Sequence, residues 1–170
     1  GETFAVVGES GCGKSTLAET LLGLHEPTDG NVHFRGECVN DWSAHVSRRD
    51  IQMIFQDPLS SLNERMTVDQ IVKEPLIIHN IDKQDRNERI KNLLDIVGLD
   101  PDRHPRMFPH ELSGGQLQRV GIARALALNP SLIIADEPVS ALDVSIQAQI
   151  LNLLSDLQIQ FGLSYILITH

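Results

Sequence analysis

The sequence predicts an α/β fold: a largely parallel core, a small antiparallel patch near 30–36 and a helical part near 57–128. Three observations carry that prediction. Residues 3–7, 51–55, 132–135 and 165–169 are short apolar runs, the type found in strands covered on both faces. A glycine-rich connection at 8–15 joins the first run to a helical stretch. Between the second and third runs the apolar spacing changes to that of helices.

Thr3-Phe4-Ala5-Val6-Val7 reads as a buried strand, and 15–22 as the helix after it. Gly30 to Gly36 alternates and reads as a strand of the antiparallel patch. Ile51 to Phe55 is a second buried-type strand ending at Gln56, and Asp57-Pro58 breaks the chain there. Thr67 caps a helix. Over 87–98, Ile90, Leu93, Leu94 and Val97 share one helical face and Gly98 stops it. Residues 113–128 read as helix, 132–135 as strand and 144–161 as a long helix. The last apolar strand runs directly to His170, which reads as a segment cut from a longer protein.

Gly8-Glu9-Ser10-Gly11-Cys12-Gly13-Lys14-Ser15 matches G-x-x-x-x-G-K-[ST] at every fixed position. Glycines permit the tight turn that aims several N–H groups at one anion, and the following helix adds the positive end of its dipole. Lys14 should reach the β- and γ-phosphates of a nucleotide, and Ser15 should hold Mg²⁺. Thr16, next on the helix, joins the nucleotide-binding set.

With 170 residues, one domain is expected. Fourteen basic against 23 acidic side chains give a net charge of −9, without general attraction for nucleic acid. Cys12 lies in the phosphate loop and Cys38 on an expected surface turn, so no disulfide framework is implied and a reducing compartment fits. No run approaches a membrane span, so membrane contact is expected through a partner only.

Leu132-Ile133-Ile134-Ala135 ends in Asp136-Glu137. Beside a phosphate loop, Asp136 is placed to support Mg²⁺ through water, and Glu137 to orient and polarise the attacking water. Ser113-Gly114-Gly115 opens a helix and has the makings of an anion site.

Taken together, these motifs resemble those of ABC (ATP-binding cassette) transporter ATPase subunits over essentially all 170 residues. The phosphate loop at 8–15 is followed by Gln56 as Q-loop and Leu-Ser-Gly-Gly-Gln at 112–116 as signature. Asp136-Glu137, the D-loop at 140–143 and His170 as switch histidine complete the order. The resemblance implies a P-loop NTPase core at 1–56 and 129–170, with an ABC-type helical subdomain at 57–128. It implies ATP and Mg²⁺ as cofactors, with Gln56 sensing the ion and the attacking water. Catalysis would rest on Glu137, His170, Gln56 and Lys14. Ser113, Gly114, Gly115 and Gln116 would bind the γ-phosphate of ATP held by a second ATPase subunit, identical or not. Asp143 would cross that dimer interface, or serve as a plain helix cap.

Residues 55–68, 108–111 and 143–149 resemble the peptide and nickel importer branch. Leu117 departs from it, since a basic residue is usual there. The implied function is ATP hydrolysis powering import of a solute, a di- or oligopeptide before nickel, from the cytoplasmic face of a bacterial inner membrane. The residues of 57–75 alone allow Leu59, Leu62 and Met66 either to stay exposed or to fold back on the helical part; the resemblance implies that they are exposed and that the permease docks there. The alternatives are a soluble ABC-type ATPase acting on ribosomes or DNA, and a non-hydrolysing regulatory cassette. Only 55 residues separate Gln56 from Leu112, without heptads, which disfavours the coiled-coil DNA-repair type. An intact Glu137 and signature disfavour the regulatory one.

Overall fold

A computed structural model describes residues 1–38 and 48–170, the Lys83 side chain excepted. Four strands, β1 (Thr3–Val7), β4 (Ile51–Ile54), β5 (Leu132–Asp136) and β6 (Ser164–Thr169), form a parallel sheet in the order β1-β6-β5-β4. Val7 lies opposite Thr169, Asp136 opposite Ile168 and Ile54 opposite Ala135. All four strands therefore finish at one edge. The residues just beyond them, Gly8, His170, Glu137 and Gln56, emerge together there, where open α/β sheets bind ligands.

Side chains alternate across a strand, and β5 uses both faces. Ile133 and Ala135 join the larger core with Ile54, Tyr165 and residues of the helices α3 (Val68–Ile78), α4 (Lys83–Ile96), α5 (Gly114–Leu126) and α6 (Val144–Phe161). Ile134 faces the other way, packing with Ile51, Ile168 and Ala18 of α1 (Lys14–Leu21).

The first strand differs from expectation. Among the described residues β1 bonds on one side only, to β6, and its Phe4 and Val7 are 68 % and 67 % exposed. An apolar run is compatible with a buried central strand or with an edge strand, and composition does not separate the two. The antiparallel patch also differs. It is a two-residue hairpin, β2 (His33–Phe34) with β3 (Glu37–Cys38). Arg35 and Gly36, at φ 52 and 84, make its turn. Cys38 is thus on a strand, exposed, rather than on a turn.

The helices between β4 and β5 follow the sequence closely. Thr67 and Gln70 form a reciprocal capping box that starts α3. The α4 face of Ile90, Leu93, Leu94 and Val97 is buried, and Gly98 at φ 74 ends the helix. α4 starts four residues before the periodic stretch, at Lys83. The Asp57-Pro58 break instead opens a one-turn helix, α2 (Pro58–Ser61), in which the Asp57 carboxylate accepts the Leu59 N–H at 3.0 Å.

Candidate functional site

The loop from Gly8 to Gly13 links β1 to α1. Gly13 takes φ 97 at the N-cap, a conformation that a side chain opposes, and no side chain caps the helix. The first N–H groups of α1 are therefore left for an anion. Lys14 is buried, with Nζ donating to the Gly8 and Glu9 carbonyls at 2.7 and 2.9 Å. The ammonium thus sits inside the loop, held by the loop's own carbonyls. Ser15 and Thr16 follow on the exposed first turn of α1.

Asp136 ends β5 as a buried carboxylate, and its Oδ1 has no hydrogen-bond partner among the described residues. Such an atom is costly unless a cation or a bound water satisfies it. The donor set of Asp136 and the Ser15 hydroxyl is hard oxygen, which suits Mg²⁺.

Glu137 is the hub of the site. Its backbone is left-handed at φ 43, a costly conformation for glutamate that surrounding bonds must hold. The Glu137 N–H donates to the Ile168 carbonyl at 3.0 Å, and the Ser140 N–H and hydroxyl both donate to the Glu137 carbonyl at 3.1 Å. With the backbone pinned, the side chain reaches two partners. Oε2 accepts from Gln56 Nε2 at 2.7 Å, and Oε1 lies 2.7 Å from His170 Nε2. Two residues from two other strand ends thus converge on this carboxylate. The tie between the Glu137 N–H and the Ile168 carbonyl was not legible in the sequence, because it depends on where β6 places that carbonyl.

The Leu-Ser-Gly-Gly-Gln segment forms a separate anion-type end. Ser113 caps α5, accepting the Gln116 N–H at 3.3 Å, while Gln116 Oε1 accepts the Ser113 N–H at 2.9 Å. Gly115 also has a packing reason, since a Cβ there would lie 2.7 Å from Ile146 Cγ2 of α6. Leu117, where a basic residue was the expectation, is buried and belongs to the core, so an aliphatic side chain suits its place. His104, in a short 3-10 turn at His104–Arg106, contacts Gln116. No sequence motif marks it. Among the described residues, no hydrogen bond joins Ser113–Gln116 to residues 8–16. Asp143 occupies the N-cap position of α6 but its side chain makes no capping bond.

Beside Gln56, a groove of about 540 Å³ lies between β4, α2 and α3, lined by Met53, Phe55, Ser60, Pro75, Ile78 and Arg124 among others. Arg124 spans its wall, donating to the Ser61 carbonyl at 2.7 Å with its guanidinium 5.7 Å from the Phe55 ring centroid. The expectation for 57–75 needs correction. Leu59 is exposed, but Leu62 is only 4 % exposed and Met66 packs against the core. Both fold back because α2 and α3 leave a greasy seat there.

The family model described as ABC transporter matches residues 1–140. The chain belongs to the ABC transporter family. It is 54 % identical over 175 aligned positions to the oligopeptide transport ATP-binding protein AppF of Bacillus subtilis (strain 168), covering 100 % of this chain and 53 % of AppF. To OppF of Escherichia coli (strain K12), of the same description, it is 56 % identical over 177 positions, covering 100 % and 52 %. The chain therefore spans about half the length of these relatives. Among solved structures, it matches the ATP-binding cassette MJ0796, a dimeric post-hydrolysis state bound to ADP and Pi. The TM-score is 0.83 at 35 % identity, over 99 % of this chain and 75 % of that one. CbiO1 of Clostridium perfringens, part of the transporter complex cbiONQ, matches with TM-score 0.85 at 31 % identity, over 99 % and 67 %.

Proposed function

We propose that this chain is the ATP-binding and ATP-hydrolysing part of a bacterial importer subunit, and that the imported solute is a di- or oligopeptide. The observation that carries the hydrolysis reading is the meeting of Gln56, Glu137 and His170 at the sheet edge that bears the phosphate loop. The peptide reading draws support from AppF and OppF, both described as oligopeptide transport ATP-binding proteins.

In this reading residues 1–170 are a single ABC ATPase domain, with residues 1–56 and 129–170 as the nucleotide-binding core and 57–128 as a helical subdomain. N–H groups of residues 8–16 cradle the phosphates, and Lys14 Nζ leaves the Gly8 and Glu9 carbonyls to neutralise them. Ser15, with Asp136 and Gln56 behind it, would hold Mg²⁺, which supplies charge neutralisation at the β- and γ-phosphates. Glu137 gives up one of its two partners and takes a proton from the attacking water. The water oxygen bonds to the γ-phosphorus as the bridging oxygen leaves with ADP. His170, released from Glu137, turns to the γ-phosphate. Residues 113–116 of a second cassette, identical or different, close over the same phosphate, so catalysis is mainly positioning and charge stabilisation.

The permease subunits would dock in the groove beside α2, placing the protein at the cytoplasmic face of the inner membrane. Among the described residues, no helix is long and apolar enough to cross it. The corrected burial sharpens the test. In membranes, a cysteine at Leu59 should cross-link to the permease, and one at buried Leu62 should not. The function itself is tested with the full-length subunit and its permease in proteoliposomes. Peptide-loaded binding protein should stimulate ATP hydrolysis; stimulation by nickel alone would overturn the peptide assignment.

A further inference from the structure

We infer that His104 is a positioning residue for the signature end of α5, setting the amide of Gln116 so that the helix presents its free donors to a nucleotide. This rests on the reading of residues 113–116 as an anion site for the partner cassette's ATP.

The geometry fixes the chemistry of each atom. His104 is buried, and its Nδ1 lies 3.1 Å from the Asp100 carbonyl oxygen. A carbonyl only accepts, so Nδ1 carries the proton. The neutral ring then has a bare Nε2, which lies 3.2 Å from Gln116 Nε2. On the far side of the same amide, Gln116 Oε1 accepts the Ser113 N–H at 2.9 Å. The amide therefore has one satisfied orientation: oxygen toward Ser113, nitrogen toward His104. A flip would leave the Ser113 N–H without its acceptor and set that amide nitrogen's donors against it.

The consequence falls on the helix start. The Ser113 N–H is consumed, and Ser113 Oγ accepts the Gln116 N–H at 3.3 Å. Its hydroxyl proton is left to donate outward. The N–H groups of Gly114 and Gly115 are the first orphan donors of the helix and point the same way. His104 holds this arrangement without touching a nucleotide. Asp100 in turn holds His104, since its carboxylate accepts the Asp102 and Arg103 N–H groups at 2.8 and 3.1 Å. Those bonds keep the Asp100 carboxyl below its ordinary range and fasten the turn that carries the ring.

Two substitutions separate positioning from simple packing. His104→Asn can keep a donor near the Nδ1 place, toward Asp100, and offers nothing at the Nε2 place. His104→Gln puts a carbonyl oxygen near the Nε2 place and loses the Asp100 bond. The experiment uses the full-length subunit carrying Glu137→Gln, with ATP-driven dimerisation read by size-exclusion chromatography across subunit concentrations. Mg-ATP affinity of the dilute monomer is measured alongside. His104→Asn should raise the half-dimer concentration about fivefold to tenfold, the equivalent of a lost hydrogen bond. Monomer affinity should hold within about twofold, since the phosphate loop is elsewhere, and His104→Gln should dimerise within about twofold of the parent. An Asn variant that dimerises like the parent, or a Gln variant that is the weaker of the two, overturns the inference. Ser113→Asp is the control for the underlying reading: it keeps a helix cap but sets a carboxylate against the phosphate. If Ser113→Asp dimerises normally, the anion-site reading itself fails. If it blocks dimerisation while His104→Asn does not, only the role of His104 fails.

Discussion

Replacing Glu137 by Gln should separate the chemistry of this site from its architecture, because the two respond on different scales. The carboxylate has two side-chain partners, Gln56 Nε2 and His170 Nε2, each at 2.7 Å. A glutamine at 137 keeps an oxygen to accept from Gln56. Its new N–H can donate to the imidazole of His170, given the tautomer with a bare Nε2. What is lost is the charge facing His170, which is 53 % exposed, so solvent screening limits that loss to about 1 kcal/mol or less. For a chain of this size the unfolding midpoint should fall by no more than about 4 °C. Turnover answers to a different quantity. A positioned general base contributes roughly 10²- to 10⁴-fold, or about 3–5.5 kcal/mol of barrier. The variant should bind Mg-ATP like the parent, hydrolyse it at least about a hundredfold more slowly, and accumulate as an ATP-held dimer. Single-turnover hydrolysis and thermal unfolding of the full-length subunit measure both. A parent-like rate would mean that another group activates the water. A rate loss accompanied by a fall of more than about 10 °C would mean that Glu137 acts by holding the strand ends together.

Three further outcomes are expected. Lys14→Ala removes the only side-chain cation of the loop and should abolish Mg-ATP binding and turnover together, checked by equilibrium binding on the full-length subunit; unchanged affinity would sink the assignment. Cys12, exposed in the loop, should be alkylated in the free protein and shielded by Mg-ATP, with exposed Cys38 as internal control, read by mass spectrometry. Equal Cys12 labelling in both states would contradict the placement. Gly115→Ala would drive a Cβ to 2.7 Å from Ile146 Cγ2 and should cost about 1–3 kcal/mol by overpacking. Adding Ile146→Ala should recover part of that loss in denaturant unfolding; strictly additive losses would mean the two do not press on each other.

The sequence by itself determined what depends on local chemistry. The spacing of Gly8, Gly13, Lys14 and Ser15 specifies a phosphate loop, because tight turning and helix polarity are properties of adjacent residues. The periodic face of Ile90, Leu93, Leu94 and Val97 and the Thr67 cap placed two helices for the same reason. Tertiary structure decided which apolar strand lies at an edge: β1 is mostly apolar, as β5 is, yet leaves Phe4 and Val7 in the open, since exposure depends on neighbours far along the chain. It also decided which of Leu59, Leu62 and Met66 stays exposed. Above all it brought Gln56 and His170 onto the carboxylate of Glu137, and His104 onto Gln116. Those contacts join residues whose local sequence carries no mark of the other, because strand order, register and helix packing set the distance between them.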